Sequence, residues 1–247
     1  MEIDTRHSEL WAKLLDLRSF HRSVYVLLAI DAFLQPAVEV LSCLPSEQRA
    51  ILERETKENA LSFRHGFIES GGFDAVVRFF SGADDNMGMS QSMTRMGNAV
   101  ALRILKCCLF SNSHLARQSK GSSSNLLDEA GSRLLQSLSN AEGLLRSLTA
   151  MVVGDSGIST STISDILKFL QLLFRTPSTA QSFVSLPDGM AEKFLITLLL
   201  WEGGTDASRP SSSISAASKV RKNTHDLIRL TPILADHALP WLIRAID

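Results

Sequence analysis

Apolar residues along this chain recur mainly every three to four positions, which is the period of an amphipathic helix. The pattern is clear at Ile163, Ile166, Leu167 and Leu170, whose spacing places all four on one helix face. No segment shows the alternation of apolar and polar residues that is typical of a half-buried strand. The pattern therefore predicts an all-α protein.

Charged and serine-rich segments interrupt this apolar pattern. The charged segment after Pro45 predicts a helix from Ser46 to about Asn59 with one solvated face. Two serine-rich segments, 111–125 and 203–215, predict long loops.

Local signals predict where other helices begin and end. Thr162, with Asp165 three residues later, resembles a capping box and predicts a helix start. Pro232 is suited to the first turn of the last helix, because a proline there loses no intrahelical hydrogen bond. Pro240 is expected to interrupt that helix. Asn140 is expected to cap the helix that follows it.

A turn-and-helix order recurs along the chain. Gly71-Gly72-Phe73 opens one apolar helix, and after a loop a second helix carries Ala101-Leu102 and Leu105. Weaker copies run from 140–148 to 166–170 and from 187–199 to 220–230. A glycine at the turn permits a positive φ and a sharp reversal of the chain.

This order resembles the armadillo repeat, in which a Gly-Gly-apolar turn precedes the second helix. The resemblance implies an armadillo/HEAT-like α-solenoid, a right-handed superhelix of stacked helix layers. We expect an N-terminal helical part at 1–59 and about three armadillo-like layers at 60–247. An irregular helical bundle is the alternative.

The balance of charge and the cysteine content limit the classes of function. Lys and Arg number 25 against 26 Asp and Glu, so no net charge favours nucleic acid or an anionic membrane. The basic run at 219–222 is interpreted as a solvated helix face. Three cysteines without regular spacing argue against a disulfide framework and indicate a reducing compartment.

Apolar runs are too short for a membrane span. The longest, Val24–Ile30 and Phe194–Trp201, fall far below the ~20 residues needed to cross a bilayer. The polar N-terminal residues do not resemble a secretory signal. We therefore expect a soluble protein without membrane insertion, located in the cytoplasm or alternatively in the nucleus.

Motifs for catalysis and for cofactors are absent from the sequence. It contains no P-loop, dinucleotide fingerprint or zinc spacing, so we expect no cofactor, no metal and no small-molecule substrate. Cys107 and Cys108 lie in an apolar run, where burial would make the thiols inert. Gly154-Asp155-Ser156-Gly157 resembles a hydrolase turn without its usual setting. A hydrolase using Ser156 or a cysteine remains an alternative.

Three segments, 71–110, 194–203 and 220–242, carry a further resemblance. The last contains Val220-Arg221-Lys222-Asn223-Thr224-His225-Asp226-Leu227, followed by Ala238-Leu239-Pro240-Trp241-Leu242. Together they resemble the armadillo-like, non-catalytic helical region of very large ubiquitin-specific proteases. The catalytic Cys and His boxes of that family are absent, so the resemblance implies no protease activity. It implies a region that positions substrates or partner proteins for ubiquitin removal.

Armadillo proteins that bind nuclear-localisation peptides use a ladder of Trp and Asn on their third helices. The corresponding positions here hold Val100 and Ile104 in the first copy and His225 and Arg229 in the third. This departure argues against that binding mode, although adaptor work in transport or trafficking remains an alternative. Arg103, His225 and Arg229 are the candidates for a surface that binds other proteins, and ordinary solvated residues are the alternative.

Overall fold

The computed structural model describes seven ranges of the chain: 5–36, 45–82, 91–109, 129–138, 141–154, 158–201 and 210–246. The regular secondary structure in these ranges is entirely helical, which confirms the all-α prediction. The predicted loop at 111–125 and the predicted cap at Asn140 lie outside the described residues.

Twelve α-helices are described within these ranges. They are α1 Thr5–Leu14, α2 Phe20–Leu34, α3 Ser46–Glu69, α4 Gly72–Gly82, α5 Gln91–Leu109, α6 Glu129–Ser137, α7 Ala141–Val153, α8 Thr160–Leu173, α9 Pro177–Val184, α10 Met190–Leu199, α11 Pro210–Leu230 and α12 Pro232–Ile246. Contacts divide the chain into two compact units, Met1–Leu138 and Ser139–Asp247.

In the first unit, α2 packs along α5 and α1 packs on α4. Near one end of the α2–α5 contact, Gly97 lies against the side chains of Phe20 and Val24. Farther along, Arg103 of α5 pairs with Asp31 of α2. Residues later in α2 therefore contact residues later in α5, so the two helices run parallel. Helix α3 packs against both α2 and α4.

In the second unit, each of the first three helices packs on the helix three places later. The pairs are α7 with α10, α8 with α11, and α9 with α12. The short helix α9 is an addition to the helices that the sequence pattern predicts. Pro177 occupies the first turn of α9, and Phe183 packs with Phe174 and Phe194 at centroid distances of 5.1 and 5.7 Å.

Two glycines permit the reversals that precede α4 and α10. Gly71 has φ 81° and Gly189 has φ 64°, values that residues with a side chain rarely adopt. Gly72 serves a different purpose, because a Cβ there would lie 2.3 Å from the Phe67 ring. The predicted role of glycine at these turns is confirmed.

Helix α3 is longer than its sequence pattern predicts. The expected end near Asn59 is wrong, because the helix continues to Glu69. It therefore crosses the position between 59 and 60 that separates the two expected parts of the chain, 1–59 and 60–247. Its buried residues, Ala60, Arg64 and Phe67, all lie beyond that point and share one face at spacings of four and three. The first four turns of α3 contain no buried residue. The packing of the buried face beyond Asn59 therefore explains why the helix continues.

Two other predicted boundaries also change. Ser159, not Thr162, caps α8, since its Oγ accepts a hydrogen bond from the Thr162 backbone N–H at 3.2 Å. Pro232 begins α12 as expected, but α12 continues through Pro240. A proline on the exposed side of a helix removes one backbone donor and need not end the helix.

The predicted loop at 203–215 ends earlier than expected. Residues from Pro210 onward belong to α11, because a proline is well suited to the first turn of a helix. The earlier part of this segment, 203–209, lies outside the described residues. In the described ranges, no helix is long and apolar enough to cross a membrane.

Candidate interaction surface

One face of α11 presents a stripe of basic side chains. Lys222, His225 and Arg229 follow at spacings of three and four residues and are all exposed. Lys219 and Arg221 extend the exposed positive surface toward the middle of the helix. We call the three residues Lys222, His225 and Arg229 the basic stripe.

The opposite face of α11 holds this stripe toward solvent. Val220, Thr224 and Leu227 are buried, each with an exposed fraction of 0%. The Thr224 hydroxyl donates to the Val220 carbonyl oxygen at 2.9 Å, which satisfies the buried hydroxyl within the helix. Because apolar burial fixes the rotation of α11, the positive charges cannot turn inward.

Charge neutralisation along the basic stripe is weak. Arg229 Nη2 lies 3.8 Å from Asp226 Oδ1, and the Arg229 side chain is 68% exposed. An exposed pair at that distance is worth little in stability. The neighbouring Arg221 instead donates from Nη2 to the Trp201 carbonyl oxygen at 3.0 Å, which connects α11 to the end of α10. The stripe thus remains available to an anionic group.

Arg103, the third predicted partner-surface residue, lies in the first unit on α5. Its Nη2 donates to Asp31 Oδ2 at 2.5 Å, and its side chain is 49% exposed. Asp31 also accepts a hydrogen bond from Gln35 Nε2 at 2.8 Å. The structure therefore brings His225 and Arg229 together on one helix and gives Arg103 a partner across the α2–α5 contact.

Two positions aligned with the Trp and Asn ladder lie in the core. Val100 is 4% exposed and Ile104 is fully buried, so neither reaches the surface. The equivalent residues in α11, His225 and Arg229, are exposed. Alignment by an apolar motif alone does not assign the same face to both helices. The sequence contains Lys222 in the basic run at 219–222, and its spacing of three residues from His225 is the signal that places both on one helix face.

The two described cysteines are packed inside the first unit. Cys108 is 0% exposed and Cys107 is 8% exposed. Burial, together with the smaller effect of the nearby Asp31 carboxylate, raises the pKa of Cys107 from 9.0 to about 12. Burial also raises the pKa of Cys108. Both thiols are protonated at neutral pH, as the apolar sequence context predicted.

None of the other candidate groups forms a site within the described residues. Cys43 and Ser156 of the hydrolase-like turn lie outside the described residues. Within the described ranges, no three His, Cys, Asp or Glu side chains come together in a group that could hold a metal ion. His237 packs its ring on Trp241 at a centroid distance of 5.6 Å, which is a packing contact at the surface.

No family model, curated protein or solved structure matches the chain.

Proposed function

We propose that this chain is a non-catalytic scaffold that binds other proteins through helices stacked in armadillo-like layers. The observation that carries the proposal is the packing of α7, α8 and α9 on α10, α11 and α12, each on the helix three places later. Stacked helical repeats of this kind present an extended surface that repeat proteins use for binding. The parallel pairing of α2 with α5 is consistent with the same period.

The basic stripe is the part of this scaffold that we propose contacts a partner. Its exposed cations favour an acidic segment of a partner protein, because opposite charge speeds encounter and fixes orientation. Arginine adds the ability to bind a carboxylate through two parallel hydrogen bonds. Because the buried face of α11 is already ordered, binding should restrict little side-chain freedom beyond that of the three basic residues themselves.

The resemblance to large ubiquitin-specific proteases gives this proposal a biological setting. Much of that resemblance lies in 220–242, the segment that forms most of α11 and α12. We propose that the chain positions substrates or partners for ubiquitin removal by a catalytic module that it does not itself contain. Adaptor work in transport or trafficking would use the same kind of surface.

A crosslinking pulldown with matched charge reversals tests the proposal. The test variant carries Lys222→Glu, His225→Glu and Arg229→Glu. The control carries Lys168→Glu, Arg175→Glu and Lys193→Glu, three exposed positions elsewhere in the second unit. We expect proteins captured by the unmodified chain to be lost from the test variant and retained by the control.

The outcomes separate the parts of the proposal. Equal loss of partners in both variants would argue against the basic stripe as the binding surface. Partners restricted to transport proteins would support the adaptor function over the ubiquitin-related one. Covalent labelling of the chain by a ubiquitin-based active-site probe or a serine-hydrolase probe would overturn its non-catalytic assignment.

A further inference from the structure

The outer face of α2 is apolar at positions where a solvated helix is usually polar. Tyr25 is 71% exposed and Phe33 is 62% exposed, and Leu28 is 36% exposed. Ala29 and Ala32 lie exposed between them. We call these five residues the α2 face. The helical sequence pattern did not distinguish Leu28 and Phe33 from the core residues of the same helix.

Burial of the opposite side makes this exposure a fixed property of α2. Phe20, Val24 and Leu27 are at most 2% exposed and pack into the first unit. The Phe33 ring is also held in place, since it stacks on Phe63 at a centroid distance of 5.0 Å. The α2 face therefore cannot rotate inward, and one of its aromatic rings is already positioned.

The α2 face is symmetric about Ala29. Tyr25, Ala29 and Phe33 form an i, i+4, i+8 ridge in which a small residue separates two aromatic rings. Ridges at this spacing are those that interlock in the commonest class of helix packing. If two such helices cross at Ala29 in antiparallel directions, Tyr25 of each meets Phe33 of the other. The small side chain at the crossing lets the backbones approach closely.

Charge at the ends of α2 also favours an antiparallel pair. His21 and Arg22, near the N-terminal end, are exposed, and no exposed residue of α2 is acidic. In an antiparallel pair, Arg22 would lie beside the C-terminal carbonyls of the opposite helix. A cation there is favoured by the helix dipole. A parallel pair would instead place Arg22 against Arg22.

We propose that the α2 face binds the α2 face of a second copy of this chain, forming a two-fold symmetric dimer. A two-fold interface needs a surface that is complementary to itself, and the order Tyr25, Ala29, Phe33 has that property. One helix face is smaller than the ~800 Å² that each partner contributes to a stable complex. We therefore expect a weak, reversible dimer with a dissociation constant of about micromolar order.

Sedimentation equilibrium of the full chain tests the association. We expect the mean mass to rise from 27.1 kDa toward twice that value as concentration increases. Ala29→Asp, which places a charge at the crossing, should keep the chain monomeric. Tyr25→Ala should weaken association by roughly 10- to 100-fold, the equivalent of exposing one aromatic side chain. Ala50→Asp, an identical change at an exposed site on α3, should have no effect.

Disulfide trapping tests the geometry of the pair. Ala29→Cys places a thiol on the two-fold axis, so two copies should crosslink under mild oxidation. Tyr25→Cys should not crosslink to the same residue of the second copy. Each Tyr25 lies four residues from the two-fold axis, on opposite sides in the two copies, so the two thiols would be about 12 Å apart. Ala50→Cys controls for random collision and for the native cysteines.

Each outcome decides the proposal. A monomer at every concentration would overturn it, as would a dimer that Ala29→Asp leaves intact. Crosslinking through Tyr25→Cys as readily as through Ala29→Cys would overturn the antiparallel arrangement. A chain that stays monomeric but binds an added amphipathic helix through the α2 face would show that the occupant is a different protein. A circular dichroism spectrum shared by all variants excludes misfolding, and Tyr25→Ser serves if Ala29→Asp does not fold.

Discussion

Arg64 of α3 donates hydrogen bonds to the backbone carbonyl of Cys108 at the end of α5. The Nε–O distance is 3.2 Å, and the Nη2–O distance is 2.5 Å. The same Nε lies 3.1 Å from the Cys107 carbonyl oxygen. The last carbonyls of a helix have no partner within the helix, so the buried guanidinium of Arg64 caps α5 and joins it to α3.

Replacing Arg64 with methionine should destabilise the first unit by about 3 kcal/mol. The substitution keeps an apolar side chain of similar length but leaves buried carbonyl oxygens without a charged donor. The free energy of unfolding can be measured by urea denaturation followed through Trp11, the only tryptophan of the first unit, in a background with Trp201→Phe and Trp241→Phe. Arg64→Lys should recover part of the loss.

An exposed arginine on the same helix provides the control. Arg54 lies 3.8 Å from Glu58, and both side chains are mostly exposed. Arg54→Met should cost less than about 0.5 kcal/mol, which is typical for such a surface pair. Equal losses for Arg54→Met and Arg64→Met would show that the cap on α5 does not contribute.

The ion pair between Arg103 and Asp31 should couple α5 to α2 modestly. A double-mutant cycle with Arg103→Ala and Asp31→Ala should give a coupling energy of about 0.5–1 kcal/mol, because the arginine is half exposed. The coupling should decrease as salt concentration rises. The more exposed Arg229–Asp226 pair should give a smaller value, and a larger one there would contradict this ranking.

The buried thiols should make the first unit sensitive to high pH. A raised pKa in the folded state means that the neutral thiol is favoured there. The stability that this supplies is complete below pH 9.0 and is lost as pH rises toward the folded pKa, about 12 for Cys107. Each thiol should lower the free energy of unfolding by about 1.4 kcal/mol per pH unit in that range.

The double variant Cys107→Ala with Cys108→Ala should remove this part of the pH dependence. Truncation will lower stability at neutral pH. The quantity to compare is therefore the slope of the free energy of unfolding against pH between pH 9 and 11, measured by urea denaturation. Val100→Ala truncates another buried side chain of α5 without a titratable group. Its slope should match that of the unmodified chain. An unchanged slope in the double cysteine variant would contradict the prediction.

Local features of this fold were predictable from sequence, and features that depend on distant contacts were not. The glycine turn at Gly71 and the helical period of α8 follow from short segments. The Arg103–Asp31 pair joins residues 72 positions apart, and no local pattern indicates it. The outward direction of Phe33 is set by how α2 packs against the rest of the first unit.

The same distinction applies to the candidate surface. His225 and Arg229 could be placed together from their spacing alone, because residues four apart share a helix face. Val100 and Ile104 could not be placed, since an apolar motif does not specify which side of α5 meets α2. The period of three helices in the second unit also needed the structure, because α9 is too short to give a strong periodic signal.

Glycine substitutions around the α3–α4 turn should have opposite effects on stability. At Gly66, inside α3, a Cβ would meet nothing within 4 Å. Gly66→Ala should therefore stabilise the first unit by about 0.5–1 kcal/mol, through the higher helix propensity of alanine. At Gly72 the added Cβ would lie 2.3 Å from the Phe67 ring. Gly72→Ala should cost about 1–3 kcal/mol, as expected when a packed core must rearrange.

A third variant separates this close contact from backbone strain. Combining Gly72→Ala with Phe67→Leu removes the ring that the new Cβ would meet. The cost of Gly72→Ala should then fall well below its value when Phe67 is present, as measured by urea denaturation against Phe67→Leu alone. A cost that stays the same in both backgrounds would mean that the backbone at Gly72, and not its approach to Phe67, requires glycine. Gly71→Ala should remain destabilising in either background, because its φ of 81° does not depend on the ring.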